Sequence, residues 1–251
     1  MRELLDQEVL INLLKLTSRS KTLIKQLEAL NDAISDTLVK GRYLEIGAFE
    51  GRSLAMYSAL TSFKQFKEPA FITCIDNWTG GDEHKVAKTE FMEVEKVFDQ
   101  VSQICLDFLP KGSEIEKLKG LSKHSLSSII SRSKFYDLIL VDGGHKSKEV
   151  ILDLVLSWEL LRDGGILIID DYTWIPKHLT NKDFLINSPK LGVDSFINCF
   201  SDELVLISNQ PLLQLYIKKQ SPASLIGMGS HCLAIEQKSL PSLFDSIYHL
   251  L

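Results

Sequence analysis

The segments YDLILVDGGH (residues 136–145) and LRDGGILIIDDY (residues 161–172) are the part of the sequence that decides the fold. Each contains a short apolar run that ends in aspartate, without the alternation of a half-exposed strand. Runs that are apolar on both faces are typical of parallel strands buried beneath helices. We therefore predict two adjacent parallel strands with acids at their carboxyl ends.

The same alternation of short apolar runs and helical patterns continues on both sides. The other predicted strands are residues 43–46, 70–75, 116–118, 204–208 and 213–217. Helices are predicted to begin near Gly51, Glu83, Ser122 and Ser147, and further helices to cover residues 193–200 and 241–250, with Pro176 and Pro189 in a loop. This pattern predicts a single α/β, Rossmann-like, doubly wound domain with a mostly parallel seven-stranded sheet over residues 41–251. Helical periodicity in residues 3–37 predicts an N-terminal helical cap over residues 1–40.

Composition narrows the class of protein. The chain has 251 residues, of which 45 % are hydrophobic and 24 % charged, as in a globular protein with a sizeable core. A formal net charge of −5 without a basic block argues against a nucleic-acid partner. There is no apolar run of about 18 residues, so we expect no membrane span. The four cysteines form no C-x-x-C pair, so we expect neither zinc nor a disulfide framework, as suits the cytoplasm.

The loop after the first predicted strand reads EIGAFEGRS over residues 45–53. Its two glycines allow a sharp turn and a close approach to a ligand, and the helix that follows offers free N–H groups. Phe49 occupies the position of the second glycine in the dinucleotide-binding fingerprint G-x-G-x-x-G, so this loop does not have that fingerprint. The candidate ligand contacts are Glu45, Gly47, Ala48, Gly51 and Ser53.

The second predicted strand ends in Asp76, followed by Asn77 and Trp78. An acid at this place can accept hydrogen bonds from a ribose diol, and its distance from Gly51 is close to that of the ribose acid in dinucleotide folds. The other interpretation of Asp76 is an ordinary turn or helix-capping residue. Trp78 is a candidate for packing on adenine or, alternatively, an exposed residue of a lid.

These motifs, in order over residues 42–218, resemble class I S-adenosylmethionine (SAM)-dependent methyltransferases. The loop at 45–53 is similar to their motif I, acidic-x-Gly-x-x-x-Gly. Residues 136–172 resemble the macrocin- and mycinamicin-type sugar O-methyltransferases, with the pattern IDG-x-H, GG and DDY. The resemblance implies that Glu45 holds the methionine end of SAM and that Gly120 and Ser122 lie beside the adenine. Ser122 is equally suited to cap the next helix.

Three acids, Asp142, Asp170 and Asp171, end the two strands that decide the fold. Carboxylates that converge without a partner raise one another's pKa, and a divalent cation relieves the repulsion. Oxygen ligands without cysteine favour Mg²⁺. The resemblance implies the same metal, which there holds a substrate hydroxyl. The alternative is that Asp170 and Asp171 cap the next segment while Asp142 contacts the SAM ammonium group.

His145 follows Asp142 by three residues in a Gly-Gly turn, so we expect it in the same crevice. An imidazole can take a proton from a hydroxyl near neutral pH. The resemblance also implies that His145 is the base, beside Asp142 in the catalytic centre. The sequence departs from the family pattern at Gly144, where some relatives carry an acid, and this departure weakens the metal prediction.

The predicted activity is SAM-dependent, Mg²⁺-dependent O-methylation of a hydroxyl on a small molecule or a sugar. One alternative is a metal-independent N- or carboxyl-methyltransferase, and another is a SAM-binding protein without turnover. The sequence leaves the oligomeric state open, with the apolar first helix as a candidate contact in a homo-oligomer. The acceptor cannot be named from the fold.

Overall fold

The structure is a computed structural model that describes most of the chain between residues 23 and 236. The described ranges are 23–36, 41–64, 66–81, 91–133, 135–176, 183–207, 213–220 and 234–236. The first helical stretch of the predicted cap, the helix start predicted at Glu83 and the predicted helix over 241–250 lie outside these residues. All statements below refer to the described ranges.

Helices and strands alternate along the chain. The helices are α1 (Leu23–Asp36), α2 (Arg52–Phe63), α3 (Phe91–Phe108), α4 (Ser122–Ser131), α5 (Ser147–Leu160) and α6 (Pro189–Cys199). The strands are β1 (Arg42–Ile46), β2 (Phe71–Asp76), β3 (Glu114–Lys119), β4 (Tyr136–Val141), β5 (Leu161–Ile169), β6 (Leu204–Ile207), β7 (Leu215–Lys219) and β8 (Ala234–Glu236). The predicted helix starts near Gly51, Ser122 and Ser147 agree with α2, α4 and α5.

The strands form one sheet in the order β3-β2-β1-β4-β5-β7-β6-β8. Strands β1 to β5 are parallel, whereas β7 is antiparallel to both β5 and β6. The predicted Rossmann-like, mostly parallel sheet is thereby confirmed, and the three-residue strand β8 adds an eighth member beside β6. Ile46 pairs with both Ile75 and Val141, and Val141 pairs with Ile169. Four strands therefore end at nearly the same level, and the loops that follow them share one edge of the sheet.

Each face of the sheet is covered by helices. Because consecutive strand residues point to opposite faces, Tyr43, Leu138 and Leu140 belong to one core cluster, whereas Leu44 and Ile139 belong to the other. Helices α1, α2 and α3 bury residues in the first cluster, and α4, α5 and α6 in the second. Helix α1 thus packs in the core of the α/β domain, and the division between a cap (1–40) and a methyltransferase domain (41–251) stays a prediction.

One predicted loop residue begins a helix. Pro189 is the first residue of α6, a position that suits proline because its fixed φ is helical and its missing N–H would have no partner there. Strand β5 also starts earlier than predicted, directly after α5, with an irregularity in its pairing to β4 between Tyr136 and Leu138. None of the described helices is long and apolar enough to cross a membrane.

Candidate active site

A cavity of about 700 Å³ lies at the carboxyl ends of the parallel strands. Strand β1 lies between β2 and β4, so β2 and β3 extend the sheet on one side of β1 and β4 and β5 extend it on the other. The strand order therefore reverses at the β1–β4 edge of this cavity, and open α/β sheets bind ligands at such a point. The volume is in the usual range for small-molecule sites. The cavity is lined by the loops that follow β1, β2, β3, β4 and β5 and by the first turns of α5.

The wall of this cavity is acidic. Its carboxyl groups belong to Glu45, Glu50, Asp76, Asp142, Glu149, Asp153 and Asp171. Its cationic side chains are Arg52, Lys123 and Lys146. An excess of carboxylates favours positively charged ligands and disfavours polyanions such as nucleic acid.

The loop after β1 is held against the loop after β4. Gly47 has φ 85°, and a Cβ atom on it would overlap the carbonyl oxygen of Asp142 and come within 2.5 Å of the carbonyl carbon. The Gly47 N–H donates to the Ile75 carbonyl oxygen at 2.8 Å. Gly47, Ala48 and Ser53, which are predicted ligand contacts, line the cavity. Only glycine fits at position 47, because two strand ends approach so closely there.

Gly51 serves packing and does not contact the cavity. It precedes α2 with φ 83°, and a Cβ atom on it would lie 3.0 Å from Val101 and 3.3 Å from Phe98, both on α3. We therefore correct its predicted role as a ligand contact: the small residue allows α2 to pack on α3.

Glu45 is a carboxyl group buried in the cavity wall. It is 2 % exposed and accepts a hydrogen bond from the Tyr43 hydroxyl at 3.2 Å. Burial raises the pKa of Glu45 to about 8, with the charge of Asp76 adding to the shift and Arg52 opposing it. A cation placed against this group would favour the carboxylate form.

Asp76 ties the loops after β1 and β2 together. Its two carboxylate oxygens accept hydrogen bonds from the backbone N–H groups of Phe49 at 2.8 Å and Trp78 at 2.7 Å. Asn77 organises the next turn by accepting from the Thr79 N–H at 2.7 Å. Asp76 and Asn77 both line the cavity. Asp76 is thus a turn residue and remains placed to accept hydrogen bonds from a ligand.

Trp78 is buried behind this loop. It is 3 % exposed, its ring packs on Phe98 with centroids 4.8 Å apart, and its indole N–H donates to the Phe49 carbonyl oxygen at 2.9 Å. It is not among the described residues that line the cavity. Both interpretations of Trp78 from the sequence, as an adenine contact and as an exposed lid residue, are therefore corrected.

The loop after β3 contributes Gly120 and Ser122 to the cavity, and their position beside the adenine stays a prediction. The Gly120 N–H donates to the Asp76 carbonyl oxygen at 2.8 Å and joins this loop to the end of β2. Ser122 does not cap α4, because Leu121 occupies the capping position without a side-chain bond. The Ser122 side chain instead acts on Asp153 of α5, where it opposes the rise in the pKa of Asp153 that burial causes.

On the β4–β5 side, Asp142, His145 and Asp171 converge. Each offers one ligand atom, and these atoms lie within 4.8 Å of one another. His145 Nε2 is 3.1 Å from Asp171 Oδ2. The pKa of Asp142 is well above its usual value because the group is buried and because Asp170 and Asp171 add negative charge. This is the arrangement expected where a cation normally balances the acids.

Asp170 stands outside this cluster. Its carboxylate accepts a hydrogen bond from the Asp171 N–H at 2.8 Å. Asp171 lines the cavity, whereas Asp170 is not among the described residues that do so. We therefore correct the predicted ligand set by leaving Asp170 out of it.

A sharp turn after β5 brings an aromatic ring to the site. Asp171 has φ 54°, and its carbonyl oxygen accepts a hydrogen bond from the Trp174 N–H at 2.9 Å. The Trp174 ring lies against His145 with centroids 4.3 Å apart and lines the cavity. Phe49 also has a positive φ, and such backbone conformations cluster at functional sites.

Several lining residues were not predicted from the sequence. They are Phe49, Arg52, Leu121, Lys123, Lys146, Glu149, Leu152, Asp153, Trp174, Pro176 and Asn187. Three of them, Glu149, Leu152 and Asp153, could have been found from the sequence. They lie in the first turns of the helix after β4, three and four residues apart, and therefore share one face of that helix.

Comparisons with known proteins indicate the family of the chain. A family model described as a methyltransferase domain matches residues 44–172, from β1 to the turn after β5. A protein of Acanthamoeba polyphaga mimivirus, named "Uncharacterized protein R132", is 25 % identical over 181 residues, which are 68 % of this chain and 73 % of the relative.

Solved structures share the fold at low sequence identity. The O-methyltransferase NovP is 16 % identical, with a TM-score of 0.57 over 78 % of this chain and 80 % of its own. CalS11, a TDP-rhamnose 3'-O-methyltransferase, is 16 % identical, with a TM-score of 0.56 over 86 % and 94 %. TomG from Streptomyces achromogenes, solved with SAM, is 15 % identical, with a TM-score of 0.51 over 81 % and 82 %.

The family match contains the glycine loop after β1, the acid after β2 and the Asp142–His145–Asp171 cluster. It spans just over half of the chain. The chain therefore belongs to the methyltransferase-domain family and is a class I SAM-dependent methyltransferase.

Proposed function

We propose that this enzyme transfers the methyl group of SAM to a hydroxyl of a small molecule or sugar, with Mg²⁺ at Asp142 and Asp171 and with His145 as the base. The observation that carries the proposal is the convergence of two acids and an imidazole within 4.8 Å at one end of the cavity. The proposal includes kinship with the macrocin- and mycinamicin-type sugar O-methyltransferases, as the sequence motifs suggest.

The part of the cavity formed by the loops after β1 and β2 suits SAM. Glu45 is a buried carboxyl whose pKa is raised by burial even with Arg52 acting on it, and the ammonium group of the methionine moiety would favour its carboxylate form. The sulfonium charge of SAM also matches the acidic wall. We assign the methionine moiety to Glu45 and the Gly47–Ala48 turn, and the ribose to Asp76. SAM supplies a methyl group that is already activated for transfer.

The β4–β5 end suits a hard divalent cation. Asp142 and Asp171 provide carboxylate oxygens, and burial with mutual repulsion makes Asp142 costly to ionise without a cation. Mg²⁺ prefers oxygen ligands and commonly binds through one or two carboxylates, whereas imidazole is the more usual ligand of zinc, copper and iron. We therefore assign the carboxylates to the metal and keep His145 for proton transfer. A Mg²⁺ ion held there would orient an acceptor hydroxyl and lower its pKa.

The remaining chemistry belongs to the protein's own side chains. His145 accepts the hydroxyl proton while the acceptor oxygen bonds to the methyl carbon and the carbon–sulfur bond breaks, which yields a methyl ether and S-adenosylhomocysteine. Asp171 holds the imidazole through its contact with Nε2 at 3.1 Å. Trp174 supports the other side of the imidazole ring. Catalysis is thereby mainly a matter of positioning.

A second candidate function is favoured by the same contact. An aspartate beside a histidine can orient the ring and stabilise its protonated form without a metal. His145 would then act as the general base without a metal, with Asp171 orienting its imidazole ring. Such an enzyme would methylate a hydroxyl, an amine or a carboxylate. This candidate predicts no dependence on Mg²⁺.

The metal assignment is tested by binding. With S-adenosylhomocysteine present, wild-type protein should show Mg²⁺-dependent thermal stabilisation and a calorimetric binding isotherm. Asp171→Ala should lose both and still bind S-adenosylhomocysteine, because the proposed SAM contacts lie in the loops after β1 and β2 and Asp171 lies in the turn after β5. Asp163→Ala is the matched control, since Asp163 is an exposed acid at the start of β5. If wild-type protein shows no Mg²⁺ binding, the metal-free candidate is favoured.

A further inference from the structure

Residues 185–194 (the α6 segment) comprise the turn before α6 and the first half of that helix. The helix is fixed in the core, where the Phe196 ring packs on the Trp158 ring of α5 with centroids 5.4 Å apart. Packed interiors yield little, so a segment attached to one holds its partners at a defined place. The α6 segment bonds two residues that lie next to His145 and Asp171 in the chain.

The first of these residues is Ser147, two positions after His145. Ser147 is buried, and its Oγ atom lies 2.6 Å from the Leu185 carbonyl oxygen and 2.7 Å from the Ser188 carbonyl oxygen. Helix α6 also approaches this residue closely, because a Cβ atom on Gly192 would overlap the Ser147 carbonyl oxygen. The start of α5, and with it the loop that carries His145, is therefore held by the α6 segment.

The second residue is Tyr172, which directly follows Asp171. Its hydroxyl donates to Asp194 Oδ1 at 2.8 Å and accepts a hydrogen bond from Lys190 Nζ at 2.8 Å. Lys190 also donates to Asp194 Oδ2 at 2.7 Å, and its ammonium group lies 4.7 Å from the centroid of the Tyr172 ring. The hydroxyl thus has charged partners as donor and as acceptor, and such bonds are the strong ones. The turn that carries Asp171 is held by the same segment.

These bonds lie outside the cavity. The four side chains that make them are not among the described residues that line it, so they act only through their neighbours. His145 and Asp171 belong to loops after two different strands, and yet His145 Nε2 lies 3.1 Å from Asp171 Oδ2. One segment that bonds both loops fixes the separation between them.

We propose that the α6 segment sets the distance between His145 and Asp171. Ser147 and Tyr172 are then positioning residues, and Asp194 holds Tyr172 in place. This inference rests on the proposed roles of His145 and Asp171 in the reaction. Such positioning matters because a displacement of about 1 Å can lower a rate by roughly 100-fold.

The test measures this geometry by nuclear Overhauser effects between the ring protons of His145 and Trp174 in the ligand-free protein. Trp174 belongs to the same turn as Asp171, and the two ring centroids are 4.3 Å apart, so wild-type protein should give cross-peaks. Ser147→Ala and Tyr172→Phe each remove one hydroxyl from the bonds to the α6 segment. Each should lower the cross-peak intensity roughly threefold, as expected for a shift of about 1 Å, because the intensity falls with the sixth power of the distance.

Three further variants separate positioning from a general effect on the fold. Ser195→Ala is the matched control, since the Ser195 hydroxyl bonds the Leu191 carbonyl oxygen within α6, and its cross-peaks should keep the wild-type intensity. Asp194→Ala should match Tyr172→Phe, whereas Asp194→Asn keeps an acceptor oxygen and should retain most of the intensity. The Tyr172 and Asp194 variants should unfold at nearly the wild-type denaturant concentration, because half-exposed charged side chains contribute little to stability.

An unchanged intensity in either Ser147→Ala or Tyr172→Phe would overturn the proposal, since the segment must act on both loops. An equal loss in Ser195→Ala would overturn it as well, because the effect would then follow from any hydroxyl removed from α6. Calorimetry with S-adenosylhomocysteine and with Mg²⁺ distinguishes these outcomes from failure of the proposed function. Wild-type protein that binds neither would contradict the proposed function, whereas the cross-peaks need no ligand and would still decide whether the α6 segment positions His145.

Discussion

Gly47→Ala should destabilise the protein by more than about 3 kcal/mol and abolish the binding of S-adenosylhomocysteine. The added methyl group would overlap the Asp142 carbonyl oxygen, which belongs to backbone and cannot move aside as a side chain would. The φ of 85° is in addition unfavourable for alanine. Relief of the overlap requires the ends of β1 and β4 to separate, and these are the walls of the cavity. Chemical denaturation and calorimetry measure the two effects.

The matched control is Gly164→Ala. Gly164 has φ 77°, and a Cβ atom on it would meet no other atom within 4 Å. This variant carries the conformational penalty alone, about 1–2 kcal/mol, and should bind S-adenosylhomocysteine like the wild type. Equal stabilities of the two variants, together with intact ligand binding by Gly47→Ala, would show that the close approach of the two loops does not matter.

His145→Ala should lower kcat by roughly 10²- to 10⁴-fold, the range for loss of a general base. His145→Gln should be almost as slow, because the amide fills part of the space without accepting the proton. Both variants should still bind S-adenosylhomocysteine and show Mg²⁺-induced stabilisation, since the carboxylates are unchanged. Steady-state kinetics with saturating Mg²⁺ measures the effect. His124→Ala is the control, because His124 is an exposed histidine on α4 outside the cavity lining.

Two outcomes would change the role of His145. Activity within a few-fold of wild type would mean that solvent takes the proton and that the imidazole is only part of the cavity wall. Loss of Mg²⁺ binding together with activity would make His145 a metal ligand, which its place within the 4.8 Å cluster also allows. The methyltransferase assignment would stand in both cases.

Much of the fold follows from local patterns. The runs LILV in β4 and ILII in β5 are apolar at every position, and strands that read in this way are buried on both faces. Once the strands are parallel, their final acids must meet at one edge, and Asp76 and Asp142 both line the cavity there. Gly47 was singled out for a different reason, the glycine loop after β1, and it lines the same cavity.

The errors arise where a side chain's direction depends on packing. Trp78 is buried because α3 offers Phe98 beneath it, and nothing in the local sequence reveals that helix. Asp170 lies outside the cavity lining, and the turn after β5 that separates it from Asp171 is not indicated by two adjacent aspartates in the sequence. Trp174 reaches the cavity through the left-handed conformation of Asp171, which the letters DDYTW do not indicate. Asp153 was missed because the rotation of α5 about its axis is fixed by tertiary contacts.

The central claim is that a hydroxyl is methylated with the help of a divalent cation at Asp142 and Asp171. It is tested most directly by mass spectrometry of acceptors incubated with methyl-deuterated SAM, with Mg²⁺ and with excess EDTA. The claim predicts the label on a hydroxyl oxygen, its loss in EDTA and its return when Mg²⁺ is added in excess. Label on nitrogen or a carboxylate, or undiminished transfer to a hydroxyl in EDTA, would contradict it.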